Sequence, residues 1–382
     1  MDWDKIRNIS SIKDLAPLGV ANVGGVGISA IFWFYMAALM GTELYGELSY
    51  LISIAVVASA IALVGAPTTV TVYSAKGVKI IPAISILALS CSAIIAIIIA
   101  ILFDNIHISF YVISYVIYNI GLGALLGRKF YKKYAKYFLF QKGLMFAFGI
   151  SLYFVMGING IILGYAISHF IFIKIILDAF KNSTIDFKTL RPKLGFMLNS
   201  YGNDLARTFS GSIDKLMIGP IFGFAILGNY HLGIQFLGIL SIIPGVVIQY
   251  LLPEGASGVS KTKLKKITVA SSIIFAVLGF ILAPIVIPFF FPEYEKATII
   301  LQIISIAIIP RTITGILSAK FFGNEKSRLV FSSVLIFLVI QIPGIIILGE
   351  MLDIVGIAIS LVLADIGQAI FLLIMNWRTK NE

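Results

Sequence analysis

Six polar residues, Asn199, Asn203, Asp204, Arg207, Asp214 and Lys215, fall inside LGFMLNSYGNDLARTFSGSIDKLMIG, residues 194–219, a stretch long and apolar enough to cross a bilayer. An uncompensated charge at the centre of a membrane helix costs about 3 kcal/mol, so such side chains are paired or line a wet pathway. The Arg207 guanidinium can grip a phosphate through two parallel charge-assisted hydrogen bonds. Against that, Asp204 stands three residues earlier on the same helical face and can neutralise it. Arg311 and Asp365 lie in two other apolar runs. They can pair with each other, or Asp365 can take a proton or cation. Asp214 and Lys215 approach the outer end of their stretch, where a lysine snorkels, and anchoring and packing are expected of both. The candidate substrate contacts are therefore Arg207, Arg311, Asn22 and Asn203; the candidate coupling or structural-pairing residues are Asp204, Asp365, Asp214 and Lys215. His169 reads as a hydrogen-bonded core histidine, with a proton relay as the alternative. His107, His169 and His231 are too scattered for metal-ligand spacing, so no metal and no cofactor is expected.

Around these residues the chain is 59% hydrophobic and 12% charged, with mean hydropathy +1.02, which implies an all-α polytopic membrane protein. Apolar runs at 15–40, 48–73, 80–103, 108–127, 138–156, 160–177, 194–219, 228–252, 267–291, 297–319, 329–349 and 353–376 predict twelve transmembrane helices. Of the 29 Lys and Arg, 25 fall in or beside the even-numbered connections and the termini, which places both termini in the cytoplasm. The net charge of +11 is dispersed, so nucleic acid is not an expected partner. The basic, aromatic run from Arg128 to Tyr137 sits at a predicted cytoplasmic boundary and reads as a lipid belt, with headgroup recruitment as the alternative. Cys91 is the only cysteine, which excludes a disulfide framework. The amino terminus leads into an apolar run too long for a cleaved signal, so a retained first span is expected. The sequons at Asn8 and Asn182 fall on predicted cytoplasmic segments and are expected to be unmodified.

The two halves of the chain resemble each other. Residues 162–168 (ILGYAIS) match 354–360 (IVGIAIS) at an offset of 192, Lys129-Phe130 matches Lys320-Phe321 at 191, and Leu44-Tyr45-Gly46 corresponds to the segment from Leu227 to Tyr230. Six spans per half make this a parallel repeat. The expected domains are a first lobe at 1–180, a cytoplasmic linker at 181–193 and a second lobe at 194–382, with a transport cleft between the lobes. Aligning Gly46 with Gly228 sets Asn22 opposite Asp204. Pro244, Pro284, Pro310 and Pro343 suit helices that bend.

The segment from Met40 to Leu48 with Gly19 and Asn22, then Asp214 to Gly219, Leu227 to Tyr230, Leu252-Pro253, Phe291 to Tyr294 with Ala297, and Gly356-Ile357-Ala358, together resemble the polysaccharide-repeat-unit (O-antigen type) flippases. These belong to the superfamily of multidrug, oligosaccharidyl-lipid and polysaccharide exporters. The resemblance implies a MATE-like, V-shaped transporter of two six-helix lobes that flips a polyprenyl-pyrophosphate oligosaccharide to the outer leaflet of the cell membrane. Its implied partners are that substrate, membrane lipid and a coupling ion, H+ or Na+, and a monomer is expected. The rival within the superfamily is a cation- or proton-coupled drug antiporter, which wants a carboxylate deep in a lobe; the first six spans have none near the midplane. No GxxxxGK[ST], HExxH or Ser-centred elbow occurs, which argues against ATP hydrolysis and catalysis. A membrane glycosyltransferase would need outer loops longer than the roughly eight residues available here.

Overall fold

The computed structural model describes residues 3–248, 262–324 and 326–381, so Leu252-Pro253 and Lys261 lie outside the described residues. In chain order the helices are α1 (Trp3–Leu63), α2 (Ala66–Ala75), α3 (Ile81–Phe103), α4 (Ile106–Gly127), α5 (Tyr131–Met156), α6 (Ile158–His169), α7 (Ile173–Asn182), α8 (Phe187–Leu190), α9 (Leu194–Ser210), α10 (Ile213–Phe222), α11 (Phe224–Leu240), α12 (Ile242–Ile248), α13 (Thr262–Phe290), α14 (Glu295–Ser305), α15 (Ile308–Gly323) and α16 (Ser327–Asn381). Among the described residues seven helices are long and apolar enough to cross a membrane, or nine if two bent pairs each count as one. The protein is thus all-α and multi-pass.

Several expected connections turn out to be single residues. The 61 residues of α1 would run about 90 Å if straight, three times a hydrocarbon core; the helix instead breaks at Gly41 (φ 73, ψ 175) and resumes at once, so no loop spans 41–47. Likewise α16 breaks at Asp353 (φ 51, ψ −138). The expected span at 194–219 is also two helices, α9 and α10, parted at Gly211-Ser212. Two further bends follow from proline. The α11–α12 pair turns by 53° at Ser241 and the α14–α15 pair by 45° near Ala307, each three residues before a proline, Pro244 and Pro310. A proline ring removes one backbone donor and collides with the carbonyl four residues back, so the break belongs on its N-terminal side.

The turns also correct the register of the internal repeat. Gly157 (φ 61, ψ −140) before α6 and Asp353 share one backbone conformation and stand 196 residues apart. A Cβ on Gly160 would strike the Leu152 carbonyl and one on Gly356 the Leu348 carbonyl, again at 196. At the end of α4, Arg128 N and Phe130 N bond Ala124 O (3.1 Å) and Leu125 O (3.0 Å); at the end of α15, Asn324 N and Lys326 N bond Lys320 O (3.1 Å) and Phe321 O (2.8 Å). The offsets of 191 and 192 are therefore about one helical turn out of step. Apolar helices look alike one turn along, whereas turns do not. Asp353 occupies a conformation that suits glycine, and among the described residues its carboxylate makes only an exposed 3.1 Å ion pair with Lys296. Asp353→Gly is expected to leave thermal stability within about 1 kcal/mol of wild type, and Asp353→Val to lower it by about 2 kcal/mol, read by thermal melting in detergent.

By contact the chain forms two compact units. The first comprises Met1–Phe32 with Leu51–Thr208, the second Trp33–Tyr50 with Phe209–Glu382. The stretch Trp33–Tyr50, drawn from α1, thus belongs with the later helices.

Candidate functional site

In the second unit, four candidate residues collect with Tyr230. Arg311 on α15 donates Nε–H to Asp365 Oδ2 on α16 at 2.8 Å. Asp365 is only 5% exposed, and the Arg311 side chain 37%. On α10, Asp214 accepts from Tyr230 Oη at 2.9 Å and pairs with Lys215 Nζ at 3.1 Å. The charge of Asp214 also acts on both Arg311 and Asp365. Two buried carboxylates thus face two cations and a phenol, a balanced set that could rearrange around a proton or small cation. Lys215 does not snorkel. Its side chain is 11% exposed and turns back to the Gly211 carbonyl at 2.9 Å, because the break between α9 and α10 frees an oxygen that needs a donor.

The short motifs around Tyr45, Asn229 and Tyr294 lie in the same unit. Asn229 Oδ1 accepts from Ala297 N at 3.0 Å, capping the first turn of α14, and Tyr294 Oη donates to the Ala37 carbonyl at 2.9 Å. Tyr45 and Trp33 stack edge-on or tilted against buried His231, with ring centroids 5.2 Å and 4.9 Å away. The backbones of Gly46 and Gly228 lie against the carbonyl oxygens of Phe224 and Thr42 respectively. Most of these degenerate motifs are one packing joint.

In the first unit, Asp204 accepts from Thr68 Oγ1 at 3.1 Å. It does not ion-pair with Arg207, which is exposed and makes no hydrogen bond or ion pair among the described residues. The Arg207 charge nevertheless acts on the Asp204 carboxylate without contact, and the guanidinium donors make no hydrogen bond among the described residues. Asn203 Nδ2 bonds the Asn199 carbonyl within its own helix at 3.1 Å, and Asn22 is half-buried. His169 is buried, with Nδ1 3.2 Å from Ser114 Oγ. The sequence reading missed Lys142. Counted there as a cytoplasmic flank, it lies three turns into α5. Its depth was legible from the 26 residues of that helix.

No family model and no curated protein sequence matches the chain. Solved structures do. Lipid II flippase MurJ in an inward closed conformation matches with a TM-score of 0.76 over 93% of this chain and 86% of that one, at 14% identity. An inward-facing multidrug resistance MATE family transporter of the MOP superfamily matches with 0.65 over 95% of each chain, at 16% identity. The chain has the fold of the MOP-superfamily transporters. A mutant of the Vibrio cholerae MATE transporter VcmN matches as well, with a TM-score of 0.60 over 97% of this chain and 96% of that one, at 13% identity. At such identities the MOP likeness is one of fold, that of a polytopic membrane transporter.

Proposed function

We propose that the chain is an alternating-access transporter that moves an anionic, lipid-linked oligosaccharide from the cytoplasmic to the outer leaflet. Arg207 carries the reading. An exposed guanidinium in a membrane helix with no counter-charge in contact is an anion site waiting for its anion. Arg311 commits one of its five donors to Asp365 and has others for an anion within its own unit. The flippase among the matched folds and the sequence resemblance support this direction. Twelve crossings are part of this reading: one on each side of Gly41 and of Asp353, one for each of the two bent pairs, and one for α9 taken with α10. On this reading they form two six-helix lobes, 1–180 and 194–382, with 181–193 as the linker and both termini in the cytoplasm.

A second reading, a cation- or proton-coupled drug antiporter, draws support from the MATE structures, which make up most of the matches quoted. The buried carboxylates Asp214 and Asp365 are the residues it would use. The two readings part on one experiment. In cells carrying Arg207→Ala at wild-type abundance, glycan export is expected to stop and polyprenyl-linked oligosaccharide to accumulate on the inner leaflet. Unchanged export, together with sodium- or proton-driven efflux of cationic dyes, would transfer the function to the second reading.

A further inference from the structure

The first unit holds a cation that the mechanism above leaves idle. Lys142 stands about 16 Å along α5, and among the described residues its ammonium has no hydrogen-bond or ion-pair partner. It rests 5.6 Å from the centroid of the Phe138 ring. Residues 16–32 of α1, which pack against α5, hold no acidic residue, and between residues 51 and 182 the only two are Asp104, at the C-cap of α3, and Asp178, within α7.

The surroundings of this charge are aromatic. Gln141, the residue before Lys142, donates to Ser168 Oγ, the residue before His169, at 2.8 Å, so α5 meets α6 at this level. The His169 imidazole is flanked by Tyr118, Tyr111 and Tyr115, with centroids 4.8, 5.4 and 5.7 Å away. Helix α4 packs on α2, α3, α6 and α7, and its middle is buried at Val112, Ser114, Val116, Ile117 and Ile120. Tyr115, Tyr118, Asn119 and Leu122, at successive steps of three, one and three residues, form a single half-buried stripe along it. Tyrosine offers a flat apolar face and a hydroxyl that both donates and accepts. A flat apolar face suits the C–H side of a sugar ring, and a lone ammonium suits a phosphate.

We propose that Lys142, Tyr115, Tyr118 and Asn119 form a subsite for a sugar phosphate, with Lys142 on the phosphate and the tyrosine rings against the sugar. The proposal rests on the glycan-export reading for its physiological meaning and on the first unit alone for its chemistry. A merely structural lysine would bond something. Among the described residues this one has only the Phe138 ring beside its ammonium, so an uncharged side chain of similar length packs as well.

The test is a saturation-transfer NMR titration of the full chain in detergent with glucose 1-phosphate, and with inorganic phosphate and glucose separately. Glucose 1-phosphate is expected to bind more tightly than either part. Lys142→Gln is expected to weaken it at least tenfold with an unchanged melting temperature, Lys142→Arg to retain it, and Tyr118→Leu to bring it down to the affinity of inorganic phosphate. Equal binding by wild type and Lys142→Gln, or no binding of glucose 1-phosphate to wild type, overturns the subsite. If Lys142→Gln loses the sugar phosphate while Arg207→Ala cells still export glycan, the subsite stands and the export reading falls. If Lys142→Gln binds as wild type while Arg207→Ala stops export, the reverse holds.

Discussion

Asp365→Ala is expected to destabilise the protein by about 3 kcal/mol, because it strands the Arg311 guanidinium beside a buried hollow. Arg311→Met alone should do comparable harm, leaving an unpaired carboxylate that is 5% exposed. The double variant Arg311→Met with Asp365→Leu is expected to recover most of the loss. Two apolar side chains of similar bulk need no partner, and a buried ion pair contributes little net stability over such a replacement. The partial exposure of Arg311 trims its share, since water screens the side it reaches. Melting temperatures of the three variants in one detergent decide the matter. Additive losses in the double variant would mean that each residue is held by something other than its partner. Transport offers a second readout: the stable double variant is expected to be inactive if the pair opens during the cycle, whatever the substrate.

Gly46→Ala and Gly228→Ala should each cost more than the usual helix substitution, about 3 kcal/mol or failure to accumulate. At both positions the atom in the way is a backbone carbonyl oxygen, of Phe224 and of Thr42, which no rotamer change can move aside. The ordinary sign for glycine to alanine in a helix is the opposite, a gain of up to about 1 kcal/mol. Gly143→Ala supplies that control, since a Cβ there meets nothing within 4 Å. Opposite signs at Gly46 and Gly143 are the expected result. A stabilised Gly46→Ala would show that the close approach is not needed.

The all-helical, multi-pass character was legible from composition and run length, because lipid leaves the backbone few alternatives. The breaks were less so. Gly41 and Asp353 each replace an expected connection with one residue of positive φ, and nothing in hydropathy distinguishes such a turn from a longer loop. Pro244 and Pro310 announced their bends, whereas Pro284 and Pro343, read the same way, lie inside α13 and α16, which continue through them. Among the charges, Arg311 and Asp365 stood out because they sit 54 residues apart in apolar runs, and the fold brings them to 2.8 Å. Lys142 was overlooked because its helix begins in a basic, aromatic boundary, so one more lysine looked like the edge of the membrane. Asp204 seemed destined for Arg207 by spacing alone. A hydroxyl on another helix, Thr68, bonds it at 3.1 Å, and the Arg207 charge acts on it without contact.

The contact in which Gly46 meets Phe224 and Gly228 meets Thr42 is reciprocal: adding 182 to each member of the first pair of positions, 42 and 46, gives the second, 224 and 228. That is the form of an isologous interface between identical subunits, here written into one polypeptide. A duplicated ancestor of half this length would have met its twin through the same glycine, so the joint would be older than the fusion that now makes it permanent. Each glycine became free to drift once the copies diverged, yet the close backbone approach on both sides still forbids a side chain.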